Sequence, residues 1–130
     1  MALSLDMVGI DGAQELHDWF GYWPTFHDAE IVRLELNRSG SSLLSVHTWE
    51  ITNETDQQGY YVLAKNITVD LLLDGISNLH LDGFSHQNVV GGVSFERKGD
   101  GIMVTLWPCY GLSGSLEVSN ISIRLRPGKP

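Results

Sequence analysis

Between residues 60 and 73 apolar side chains keep to one side of the chain: Leu63, Ile67, Val69, Leu71 and Leu73 share a face, and Asn66, Thr68 and Asp70 take the other. A period of two is the pattern of a strand with one face in a core and one face wetter. Such a strand cannot bury its apolar face alone, so the rest of the chain has to supply a sheet. Alternation from Ala29 to the turn signal Ser39-Gly40-Ser41 sets Ile31 and Arg33 against Val32, Leu34 and Leu36, with Glu35 and Asn37 outward. Residues 42–51 follow as a strand with Leu44 and Val46 on one face and Ser45, His47 and Trp49 on the other, ahead of a polar loop from Asn53 to Gly59. Further strands are predicted at Asn78 to Leu81, Val89 to Arg97, Ile102 to Trp107 and Leu116 to Arg126, and Lys98-Gly99-Asp100-Gly101 reads as a hairpin turn.

Short turns between successive strands exclude parallel neighbours, whose crossover needs a dozen or more residues. The expected fold is therefore α+β, a mainly antiparallel sheet of about six to eight strands with one short N-terminal helix. That helix is placed at Gly12 to Phe20, where Leu16, Trp19 and Phe20 share a face, with Asp11 as its cap and Gly21 as its stop. At 130 residues the chain is expected to form a single domain, burying roughly two-thirds of its unfolded surface. Residues 1–10 and 127–130 are the stretches expected to fray.

Sixteen acidic residues against eight basic ones give a formal charge of −8. That field repels phosphate backbones and anionic membranes, so neither nucleic acid nor membrane is an expected partner. It would speed encounter with a basic protein, such as a nuclease, although solubility alone also accounts for an acidic chain. Cys109 is the single cysteine, which rules out an internal disulfide. The N-terminal residues lack the pattern of a signal peptide, so the expected location is the cytoplasm, where the Asn-x-Ser/Thr triplets at Asn37, Asn53, Asn66 and Asn120 would not be glycosylated.

Three segments carry residues that no strand or helix needs for its own stability. Trp23 to Glu30, WPTFHDAE, packs Trp23, Pro24, Phe26, His27, Asp28 and Glu30 between the helix and the first long strand. His27, Asp28 and Glu30 invite a metal or acid-base reading, with His86, His47 or His80 completing a cluster. On an extended backbone, however, His27 and Asp28 point to opposite faces, and no HxH or HExxH spacing is present. The second segment sets His86, Gln87 and Asn88 before Val89, Val90 and the pair Gly91-Gly92, a composition suited to a bulge or turn. In the third, Pro108 to Ser115, Cys109 and Tyr110 precede GLSGS. Nothing beside Cys109 would activate it, so a small buried hydrophobe is the simpler reading. Ser113 leads into a strand rather than a helix, unlike a hydrolase nucleophile elbow.

Together with HTWEITNE (His47 to Glu54) and GYYVLAKN (Gly59 to Asn66), these segments resemble the immunity protein 50 family of bacterial polymorphic-toxin systems from about Trp19 to Arg124. The resemblance implies an immunity protein that binds and neutralises a cognate toxin without catalysis and without a cofactor. The acidic balance fits a cationic nuclease as that toxin. Trp49, Glu50, Glu54, Asp56 and Tyr60, on and beside the acidic loop, are the expected toxin contacts, while the WPTFHDAE, His86-Gln87-Asn88 and Cys109-Tyr110 residues are either scaffold or site. The alternative is a small metal-dependent enzyme or metal-binding domain in which His27 and His86 bind a divalent metal and Asp28 positions water. An exposed edge strand would also allow a homodimer.

Overall fold

The computed structural model describes residues 7–130, apart from the side chains of residues 51–53. Among these residues one helix, α1 (Ala13–Phe20), precedes eight strands: β1 (Glu30–Glu35), β2 (Ser42–Thr55), β3 (Tyr61–Asp74), β4 (Asn78–Asp82), β5 (Val89–Lys98), β6 (Gly101–Tyr110), β7 (Ser113–Val118) and β8 (Asn120–Pro127). They form one sheet in the order β4-β7-β6-β5-β1-β2-β3-β8, with every neighbouring pair antiparallel. The fold is thus the mainly antiparallel α+β arrangement expected from the alternation.

The sheet consists of two four-stranded halves joined by a narrow seam. Only Glu30 and Val89 pair in register between β1 and β5, supported by the bonds Val90 N–H to Ala29 O (2.9 Å) and Ile31 N–H to Asn88 O (2.8 Å). In a flat sheet β6 and β8 would lie five strand spacings apart, about 24 Å, yet their backbones approach within 8 Å. The sheet therefore curls about the seam. Leu44, Val46, Val69 and Leu71 from one half and Phe95, Val104, Leu106 and Leu116 from the other enter a single apolar cluster, together with Leu16 and Phe20 of α1.

Several expectations are corrected, each for a local reason. Asp11 does not cap α1: its carboxylate pairs with Arg124 at 3.3 Å and its carbonyl accepts the N–H of Ile123 at 2.7 Å. The residue ahead of the helix is instead Gly12 at φ 87°, where a Cβ would stand 2.0 Å from Ile123 O. The predicted strand from Leu116 to Arg126 is two strands on opposite sides of the sheet. Ser119 breaks it, its N–H and hydroxyl both donating to Asp74 O, at 2.9 and 2.8 Å. Val32 is the extra residue of a bulge between Ile31 and Arg33, so it is exposed while Leu34 packs against the core. A second bulge, with Lys65 at φ 54°, lets three steps on β3 face two on β2. That turns Leu63 away from the face of Ile67, and Leu63 is 45% exposed.

The polar loop is shorter than expected. β2 runs on to Thr55, paired with Tyr61, and Asp56 closes the turn by accepting the N–H groups of Gln58 and Tyr60 at 2.9 and 3.0 Å. The hairpin at Lys98 and Gly101 forms as expected. Met7 and Ile10, within the N-terminal stretch expected to fray, are buried; residues 1–6 lie outside the described residues.

Candidate functional site

The WPTFHDAE corner is kinked, not extended. Phe26 and Asp28 both adopt left-handed backbone, φ 64° and 61°, which is uncommon for any side chain and a strained position for a bulky one. Burial holds Phe26 there, at 2% exposure. The kink corrects the expectation that His27 and Asp28 point apart: His27 Nε2 lies 3.5 Å from Asp28 Oδ2, both side chains largely open to solvent. His27 Nδ1–H donates to Gly91 O at 3.2 Å, and Thr25 O accepts the N–H of Val93 at 3.0 Å. Trp23 is half-buried with its ring 4.7 Å from that of His17, Pro24 is buried, and Glu30 opens β1 opposite His47.

The second and third segments meet this corner at the seam. Asn88, 4% exposed, holds three backbone groups at once: Oδ1 accepts the N–H groups of Ser85 (2.9 Å) and Leu112 (3.0 Å), and Nδ2 donates to Ser85 O (2.9 Å). Gly111, at φ 81°, passes so close that a Cβ would meet Asn88 Oδ1 and Gln87 O at 2.6 Å. Gly91 and Cys109 are the extra residues of bulges in β5 and β6. Cys109 is exposed, correcting the buried reading: it shares the outward side of β6 with Met103, Thr105 and Trp107, and the strand end from Trp107 to Tyr110 is exposed throughout. His86 and Gln87 are exposed, and the His86 ring sits edge-on to that of Tyr110, 6.5 Å away.

The three motif segments thus converge on one structural joint. His27 and Asp28 come together, but His86 faces Tyr110 instead of joining them. Among the described residues no three His, Cys, Asp or Glu side chains gather closely enough to hold a metal ion, so the alternative reading has no donor set in this geometry. Nor, among those residues, does any buried side-chain nitrogen or oxygen lack a hydrogen-bond partner.

The other group of expected residues lies on an arm. β1 pairs with β2 only as far as His47, and β8 pairs with β3 only from Ile67 onward. Residues 48–55 and 61–66 therefore continue past the sheet as a two-stranded ribbon. Tyr60 and Tyr61 are 72% and 63% exposed at its tip, alongside exposed Glu54 and Asp56. At its root, Trp19 Nε1–H donates to Lys65 O at 3.1 Å. Lys65 Nζ reaches Phe20 O at 3.4 Å and Glu50 Oε2 at 3.7 Å. Trp49 packs its ring 5.0 Å from that of His47, whose Nε2 bonds to Asn66 at 3.0 Å. Partial burial, then the charge and hydrogen bond of Glu50, push the Tyr22 hydroxyl above its usual range. Sequence reasoning missed Tyr22, Tyr61 and Lys65. Tyr61 stands beside Tyr60 in sequence, but the bulge that brings Lys65 to Glu50 leaves no local signal.

A family model described as Immunity protein 50 matches residues 12–125, a span that takes in the joint and the arm. No curated protein and no solved structure matches the chain. No helix among the described residues is long and apolar enough to cross a membrane.

Proposed function

The chain belongs to the immunity protein 50 family, and from that premise we propose that it neutralises a cognate bacterial toxin by binding it, without catalysis, as a single domain in the cytoplasm of the cell that makes the toxin. Family membership is the observation that carries this reading. The formal charge of −8 favours a basic toxin, with a cationic nuclease of a polymorphic-toxin system as the leading instance.

The arm is the docking element. A ribbon that projects beyond the sheet can enter a partner's cleft, and exposed tyrosines flanked by carboxylates supply an aromatic anchor with a charged rim. Trp49, Glu50, Glu54, Asp56 and Tyr60 are its contact residues, joined by Tyr61. A toxin-sized interface needs about 800 Å² from each partner, so the neighbouring surface of α1 has to contribute as well. The three motif segments act as scaffold.

The test is to mix the purified chain with the toxin domain encoded beside it. A stoichiometric complex that elutes as one species and abolishes toxin activity is the expected result. Free elution of both proteins with toxin activity intact would refute the reading.

A further inference from the structure

Where the arm leaves the sheet, Phe20, Tyr22, Pro24, His27, Trp49 and Glu50 line a groove of about 290 Å³. We propose that this groove receives one guanidinium or ammonium side chain from a basic partner, with Glu50 as its counter-ion and Tyr22 and Trp49 as its aromatic walls. The identity of that partner as a toxin rests on the immunity reading; the preference of the groove for a cation does not.

Charge selects the occupant. Residues 11–30 and 48–65, which build the helix, the corner and the arm, contain eight carboxylates and a single lysine or arginine, Lys65. An anionic side chain would meet that field, and a neutral one would leave the Glu50 carboxylate with only the Tyr22 hydroxyl and the Lys65 ammonium 3.7 Å away. Glu50 is 32% exposed, open enough to be reached and enclosed enough that an ion pair there is screened less than on open surface.

The resident cation holds its place loosely. Lys65 Nζ stands 3.7 Å from Glu50 Oε2 and 3.4 Å from Phe20 O, both beyond the usual length of a charge-assisted hydrogen bond. A guanidinium can offer two parallel N–H donors to the carboxylate and stack on an aromatic face, which an ammonium does not match. The groove therefore favours arginine, with Lys65 as a weak internal competitor.

Titration of the ¹⁵N-labelled chain with N-acetylarginine amide, using the neutral isostere N-acetylcitrulline amide as control, tests this directly. The Trp49 indole resonance should shift and saturate with the arginine compound and respond at least ten-fold more weakly to citrulline. Glu50→Gln should abolish the response. Lys65→Gly, which keeps the left-handed backbone open to glycine and removes the competing cation, should tighten binding several-fold. Equal responses to both compounds, an unaltered response in Glu50→Gln, or weaker binding in Lys65→Gly would overturn the proposal. Toxin protection separates it from the immunity reading: full protection by a folded Glu50→Lys variant would remove the groove and leave the reading intact, whereas a wild-type chain that fails to protect would remove the reading while the arginine titration still decides the groove.

Discussion

Asn88 Oδ1 accepts the backbone N–H of Leu112 at 3.0 Å, tying the turn before β5 to the turn after β6. The backbone carbonyl of the same asparagine accepts the N–H of Ile31 at 2.8 Å, so one residue links the second and third motif segments to β1, directly after the first, across the seam between the sheet halves. Asn88→Ala would leave the buried N–H of Leu112 and the half-buried N–H and carbonyl of Ser85 to find other partners, which costs about 2–4 kcal/mol. Urea unfolding should show that loss as a lower midpoint with an unchanged slope. A change under 0.5 kcal/mol would show that the joint does not depend on this side chain.

The His27–Asp28 pair offers a sharper contrast between scaffold and catalysis. Asp28 sits at φ 61° and is exposed, so Asp28→Gly relieves left-handed backbone while adding freedom to the unfolded chain. The two effects oppose, and stability should move by less than about 1 kcal/mol, with toxin neutralisation unchanged. Phe26 shares the left-handed conformation but is buried, and Phe26→Ala should cost about 3–5 kcal/mol. Thermal unfolding of the two variants side by side measures the difference.

The arm tip should behave oppositely to the joint. Tyr60 and Tyr61 are exposed, so Tyr60→Ala with Tyr61→Ala should leave stability within about 1 kcal/mol of wild type and weaken the toxin complex at least ten-fold. The association rate should fall steeply as salt is raised from low ionic strength, because the acidic field steers encounter. Stopped-flow mixing at several salt concentrations checks both effects.

Acid should weaken the fold through Asp70 on β3. Arg126 grips its carboxylate with bonds of 2.7 and 2.9 Å, and the Ser45 hydroxyl adds one of 2.6 Å. The Arg126 hydrogen bonds lead in holding Asp70 below its ordinary value of 3.8, against the opposing effect of burial, with Ser45 assisting. A carboxylate whose folded pKa is depressed gives stability that is complete above its unfolded value and lost as pH falls through the folded one. The contribution should therefore be full above about pH 4 and fade below it. In Arg126→Gln the fade should be shallower, read from urea midpoints between pH 5 and pH 2.

The strand alternation was legible because burial on one face imposes a period of two over many residues, and it led to the antiparallel sheet, while the shared face of Leu16, Trp19 and Phe20 led to the helix ahead of it. What broke the reading was local. One extra residue at Val32 and another beside Lys65 turn the following side chains onto the other face, and a bulge has no composition of its own. Asp11 looked like a cap because its spacing suits one, but Arg124, 113 positions away in the chain, competes for its carboxylate. The unusual corner stood out by composition. Its kink at Phe26 and Asp28 is fixed by burial and by Gly91 and Val93 on a distant strand, which local sequence does not reveal. Asn88 at the edge of an apolar strand pointed to backbone groups in need of partners, though not to Leu112 as one of them.

Growth of cells expressing the cognate toxin domain, together with variants of this chain that are verified as folded, tests most directly whether the motif joint is scaffold beneath a docking arm. Wild type and the double variant His27→Ala/His86→Ala should both restore growth, while Tyr60→Ala/Tyr61→Ala combined with Glu54→Lys should not. Rescue lost in the histidine variant but kept in the arm variant would contradict the account.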